Sequence, residues 1–160
     1  MQEWPIRPCT DNNFQSECKL SGQIPPEVGD LPYLETLEFY KLPNITSTIQ
    51  PAIVNLKHLN FLRLSRLNLT SPIPDFVNKL KNLTFIDFTF NQLSGSIPPS
   101  PSELPKLDGL HLDRNKLFGT FPYSFSNFPQ GLYLFLSQNQ LIGPIPTSFA
   151  RMDFGYFELL

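Results

Sequence analysis

The feature that most limits what this chain can become is its period. An apolar register returns at Phe39, Leu64, Phe88, Leu112, Leu136 and Leu159, at separations of 25, 24, 24, 24 and 23 residues. The unit L-x-x-L-x-L-x-x-N-x-L-x-G-x-I-P is clearest from Leu107 to Pro122, and a half-unit from Leu20 to Pro25 precedes the first anchor. A unit this short cannot bury an apolar face alone, so successive units have to stack into a solenoid in which each touches only its neighbours. The reading divides the chain into a remnant N-terminal cap segment, residues 1–19, and a repeat array, residues 20–160.

The residue types fit that winding. In Leu62-Arg63-Leu64, Leu110-His111-Leu112 and Leu134-Phe135-Leu136, alternation by two turns the leucines inward and the middle residue outward, as in a half-buried strand. Stacked in register, such strands form one parallel sheet. Asn91, Asn115 and Asn139 recur at one place in the unit, where an amide with both donors and an acceptor can satisfy backbone groups of its own and the adjoining turn. An Asn ladder is therefore expected. Gly95, Gly119 and Gly143 permit a turn closed to other residues, and Ile73-Pro74, Ile97-Pro98 and Ile145-Pro146 are expected to bury an aliphatic side chain before a residue of fixed φ. Phe76, Phe125 and Phe149, with Leu80, Leu104 and Phe128, should fill the core from the convex side, where 17 prolines in the chain leave room for short helical turns only. Two lapses interrupt the pattern: Leu67 holds a ladder position, and Ser47 and Ser71 replace the glycines.

Composition removes several classes of function. Twelve Lys and Arg against 14 Asp and Glu give a net charge of -2, with no basic surplus for nucleic acid, and no apolar run approaches a membrane span. Two histidines and two cysteines supply no metal-ligand set, and no cofactor is implied. Cys9 and Cys18 are spaced to close one small disulfide loop. Sequons at Asn44, Asn68 and Asn82 lean toward a secreted glycoprotein, although Met1 to Pro5 carries no signal-peptide pattern, so the chain reads as a fragment or a shortened gene product.

The outward residues of the strands form rows. The central row is Glu38, Arg63, Asp87, His111, Phe135 and Glu158, followed by Tyr40, Ser65, Thr89, Asp113 and Ser137, and then by Lys41, Arg66, Phe90, Arg114 and Gln138. With strands about 4.8 Å apart, six span roughly 25 Å, a platform for a macromolecule rather than a pocket for a small ligand. Charges of both signs alternate there with Phe61, Phe85, Tyr133 and Phe135, as in the cores of protein interfaces. Ser65, Asp87 and His111 form a superficial nucleophile, acid and base set. Ser65 stands off the His111 row and an open sheet offers no oxyanion hole, so no catalytic residue and no enzyme are expected. His58 is assigned to an inter-repeat turn.

These residues carry a family resemblance. The unit resembles that of plant leucine-rich-repeat proteins, with L-x-G-x-I-P typical of the plant class, and within it the chain is similar to the polygalacturonase-inhibiting proteins. The similarity lies in Gly22 to Phe39, Lys81 to Phe85, Leu112 to Leu117 and Pro146 to Phe154. The resemblance implies an α/β solenoid, a right-handed superhelix with a concave parallel sheet and short 3-10 turns on the convex side. It implies an extracellular protein of the plant cell wall that binds a fungal or insect polygalacturonase, with pectin as a further candidate. The contact residues are then Glu38, Arg63, Ser65, Arg66, Asp87, Thr89, His111, Asp113, Arg114, Phe135 and Gln138. Family members have a disulfide-bonded helical cap and a second cap beyond about ten repeats. Met1 to Lys19 is short for the first and Leu160 precedes the second, so end-fraying or self-association is expected. Two other readings stand beside inhibition. One is a fragment of a receptor ectodomain that binds a peptide or protein. The other is ice binding, known in one branch resembling this family, which needs a repetitive exposed face that the heterogeneous central row does not supply.

Overall fold

The computed structural model describes residues 21–159. Cys9, Cys18 and the cap segment lie outside the described residues. Strands occur in chain order at β1 (Thr36–Tyr40), β2 (Phe61–Ser65), β3 (Phe85–Asp87), β4 (Ser94–Gly95), β5 (Gly109–His111), β6 (Lys116–Gly119), β7 (Leu132–Phe135), β8 (Gln140–Leu141) and β9 (Phe154–Glu158). Six of them form a parallel sheet in the order β1-β2-β3-β5-β7-β9, so each winding adds one strand beside the last.

The register follows the sequence period. Phe39 pairs with Leu64, and Leu62, Ile86, Leu110, Leu134 and Phe157 continue the inward row two residues earlier. Between strands the chain turns through short 3-10 segments at Pro26–Asp30, Pro51–Asn55, Asp75–Lys79, Ser100–Glu103, Tyr123–Asn127 and Thr147–Arg151. A proline stands immediately before or at the start of every one, fixing φ where the chain enters the turn. Five of the turns bury one apolar side chain in the core, at Val28, Ile53, Val77, Phe125 and Phe149, and the fourth buries Ser100, Pro101 and Ser102. Val77 is the buried member of its turn and Phe76, assigned to the core from sequence, only packs against it half-exposed.

The Asn ladder forms with the same bonds at each rung. The Asn91 Nδ2 donates to the carbonyls of Leu64, Phe88 and Thr89, while its Oδ1 accepts from the Leu69 N–H. Asn115 repeats the set with Phe88, Leu112, Asp113 and Leu93, and Asn139 with Leu112, Leu136, Ser137 and Leu117. Each amide thus ties one winding to the winding before it. Leu67, at the lapsed position, is buried and contributes packing instead.

Two features were not foreseen. β4, β6 and β8 form a second, three-stranded parallel sheet where the sequence reading placed only a turn. Gly95, Gly119 and Gly143 lie at φ between 82° and 87° at its C-terminal side. The other is Ile145, which is 53% exposed although Ile73 and Ile97 at the same place in the unit are buried.

Candidate binding face

The 3-10 turns cover one side of the six-stranded sheet and leave the other open. Register confirms the order of the central row, since Glu38 pairs with Arg63, Arg63 with Asp87, Asp87 with His111, His111 with Phe135, and Phe135 with Glu158. At one end an ion network crosses three strands: the Arg63 Nη1 donates to Glu38 Oε1 at 2.9 Å and its Nε to Asp87 Oδ2 at 2.9 Å. Partial burial works against the Arg63 charge, but the Glu38 and Asp87 carboxylates outweigh it and hold the guanidinium above its ordinary value. Asp87 is buried, with Oδ1 accepting the Thr89 N–H at 2.9 Å.

From the network an aromatic ribbon runs to the other end. Phe61 and Phe85 stack at 4.8 Å, Phe85 meets the His111 ring edge-on at 4.8 Å, His111 lies 4.3 Å from Phe135, and Phe135 stacks on Tyr156 at 5.0 Å. Glycine makes the diagonal step possible. Gly109 is the strand neighbour of Phe85, and a Cβ there would come within 2.6 Å of the Phe85 ring. The ring therefore lies over the glycine and reaches His111.

The outer row departs most from expectation. Lys41, Arg66, Phe90, Arg114 and Gln138 all sit at φ between 53° and 57°, although none is glycine or asparagine. Cross-strand bonds impose the conformation: the N–H groups of Lys41, Arg66, Phe90 and Arg114 donate to the carbonyls of Ser65, Thr89, Asp113 and Ser137 in the next winding. Arg66 and Arg114 both stack on the Phe90 ring, at 3.8 and 4.6 Å from its centre. A cationic rim results on a chain of net negative charge.

Ser65 requires correction as a contact residue. It is 1% exposed, because so short a side chain does not clear its larger neighbours on strands about 4.8 Å away. Asp113 is joined to Ser137, its Oδ1 accepting the Ser137 N–H at 3.0 Å and the Ser137 hydroxyl at 3.1 Å. Thr89 is half-buried beside Asp87, whereas Arg66, Arg114 and Gln138 are exposed and Phe135 is half-exposed. Tyr133 and Tyr156, 50% and 49% exposed, extend the face, and alternation along their strands was the signal for both. His58 lies exposed in a turn, its ring 5.8 Å from that of Tyr33. Asn44 is exposed, while the Asn82 amide donates to the Lys57 carbonyl and accepts from Lys106. Among the described residues no cluster of three metal-ligating side chains occurs, and no helix is long and apolar enough to cross a membrane.

Burial among the rings lowers the His111 pKa below 6.5, with the Asp87 and Asp113 carboxylates opposing and Arg63 assisting. Burial raises that of Asp113 above 3.8, against its bonds from Ser137. As pH falls through 6.5 the unfolded chain takes up a proton that folded His111 refuses, so stability is full above that value and declines below it. Asp113 acts with opposite sign in a lower window, because the folded state protonates it first. The denaturant midpoint should fall between about pH 7.5 and about pH 5.5, and His111→Gln should flatten that fall. An equally steep fall in the variant would assign the dependence elsewhere.

The family described as Leucine Rich Repeat matches residues 82–104 and 132–152. Over 47 residues, 29% of this chain, it is 70% identical to Polygalacturonase inhibitor 1 of Arabidopsis thaliana. The chain spans about a seventh, 14%, of that protein's length. A plant ice-binding protein of known structure superposes with a TM-score of 0.81 at 49% identity, covering 88% of this chain and 47% of that one. The ectodomain of the Arabidopsis thaliana receptor kinase GASSHO1/SCHENGEN3, in complex with CASPARIAN STRIP INTEGRITY FACTOR 2, superposes with a TM-score of 0.77 at 31% identity, covering 87% and 17%. Repeat, ladder and neighbours agree on a leucine-rich-repeat solenoid, and the chain resembles plant leucine-rich-repeat proteins, the polygalacturonase inhibitors among them.

Proposed function

We propose that this chain is an extracellular recognition protein of the plant cell wall that inhibits a microbial polygalacturonase by laying its open sheet over the enzyme. One observation carries the reading: a continuous band of rings and ion-paired side chains, from Glu38 through Arg63, His111 and Phe135 to Tyr156, crosses the whole open sheet. Such a band combines flat apolar area with fixed charge, the composition of interface centres. The protein does no chemistry in this role; it occludes. The 70% identity to a polygalacturonase inhibitor supports the same reading.

The test is titration of the purified protein into a panel of fungal and insect polygalacturonases. Arg63→Glu, which breaks the ion network, and Gly109→Ala, which lifts the Phe85 ring from His111, should each weaken inhibition about tenfold or more. If the unmodified protein slows none of the enzymes, the inhibitor reading fails.

A second reading has its own support. The likeness to a plant ice-binding protein, at 49% identity, extends over 88% of this chain. Ice adsorption needs no enclosed site, and arrest of ice recrystallisation is its direct test.

A further inference from the structure

Two cations on the open sheet are held in place yet left without a counter-ion. Among the described residues both ion pairs belong to Arg63, which Glu38 and Asp87 neutralise. Arg66 and Arg114 instead flank Phe90, one winding to either side, with their guanidinium carbons 3.8 and 4.6 Å from its ring centre. A guanidinium stacked on a ring keeps its in-plane N–H donors for other partners, and its fork matches a carboxylate with little freedom left to lose. Among the described residues neither arginine forms an ion pair, and both are exposed. Their backbone is fixed as well, at φ 54°, by bonds into the next winding.

Charge on this face is segregated along the strands. Lys41, Arg66 and Arg114 stand at the margin where the strands end, and Gln138 continues their row. Glu35, Asp108 and Asp153, all exposed, stand at the opposite margin, one residue before β1, β5 and β9. Six residues of extended chain, about 20 Å, separate the two margins, more than the roughly 8 Å over which physiological salt screens a charge. The acids of one margin therefore leave the cations of the other uncompensated. In the rows between, Asp87 bonds to Arg63 and to the Thr89 N–H, and Asp113 bonds to Ser137.

We infer that Lys41, Arg66 and Arg114 form a clamp for an acidic segment of a protein partner, with Phe90 positioning the two arginines; the assignment rests on the open sheet being a protein-binding face. Charge complementarity selects carboxylates, and the aromatic ribbon beside the row offers the partner's apolar side chains a surface to cover. The dimensions fit an extended segment. Four steps of about 4.8 Å carry the row from Lys41 to Gln138, a span that about six extended residues cover, with the side chains of one face about 6.6 Å apart.

The full chain is titrated by calorimetry with a blocked eight-residue peptide of alternating aspartate and threonine, with its asparagine counterpart, and with a galacturonate tetramer of equal charge. Variants are Arg66→Gln, Arg114→Gln, Arg114→Lys and Phe90→Leu, with Lys116→Gln and Arg151→Gln as controls outside the row, and thermal melts verify that each is folded. The aspartate peptide should bind and its asparagine counterpart should not. Each glutamine variant in the row should weaken binding about tenfold and flatten its dependence on salt. Phe90→Leu keeps both charges, so it should weaken binding about threefold with the salt dependence unchanged. Arg114→Lys, which keeps the charge and loses the fork, should fall between, and the controls should match the unmodified chain.

Equal binding by the folded glutamine variants, or equal binding of the asparagine peptide, overturns the clamp. Tighter binding of the galacturonate than of the peptide makes the row a polysaccharide site and overturns it too. The polygalacturonase panel fails separately. A chain that binds the peptide and slows no enzyme keeps the clamp and loses the inhibitor reading, whereas one that inhibits without binding the peptide keeps that reading and loses the clamp.

Discussion

Asn115→Ala is expected to destabilise the fold by about 3 kcal/mol, because it strips partners from several buried backbone groups at once. The Asn115 amide donates to the carbonyls of Phe88, Leu112 and Asp113 and accepts the Leu93 N–H, and Asn115 is 8% exposed. Water does not readily reach those groups, so the lost bonds are not replaced. The damage should also be directional. Phe88 and Leu93 belong to the winding before Asn115, so the substitution severs a tie between windings rather than a bond within one. Urea unfolding should show a lower midpoint, and amide exchange at β3 and β5 should accelerate ahead of exchange at β1. A loss below about 1 kcal/mol would show that water reaches the ladder.

Phe125→Ala should cost about 3–5 kcal/mol, the usual range when a buried aromatic ring leaves a cavity that neighbours fill incompletely. Phe125 is 0% exposed and touches Phe128 at 4.8 Å and Phe149 at 6.2 Å between ring centres. Phe149 in turn meets Phe121, Phe154 and Phe157, so removal of one ring loosens a chain of aromatic contacts through the last two windings. Because a solenoid is stabilised between nearest neighbours, the loss should stay local at first. Exchange at β7 and β9 should rise while β1 and β2 stay protected, and the melt should broaden. Uniform loss of protection across all strands would instead make the array one cooperative unit.

Legibility followed the side chain's partner. Where a residue answers to the stacking of repeats, as Leu112, Asn115 or Phe125 does, its type and its place in the period were enough to assign a role. The central row was readable for the same reason, since strand alternation leaves no choice of face. The fate of individual polar groups was not. Ser65 looks outward by alternation yet is buried, Asp113 looks available yet is bound to Ser137, and Lys41, Arg66, Phe90, Arg114 and Gln138 carry left-handed backbone without glycine. Each depends on a group in the neighbouring winding, at a depth or angle that a one-dimensional pattern does not encode.

By itself, then, the sequence determined the winding: its period, its inward rows, its amide ladder and the six-stranded sheet, because apolar burial and backbone satisfaction act on every repeat alike. Tertiary structure alone decided how the faces are finished. It laid Phe85 over Gly109 to complete the aromatic ribbon, set two arginines against one phenylalanine, and made a second sheet from residues that look like a turn. Those outcomes arise from contacts between side chains and backbone of different windings, which form only once the windings are stacked.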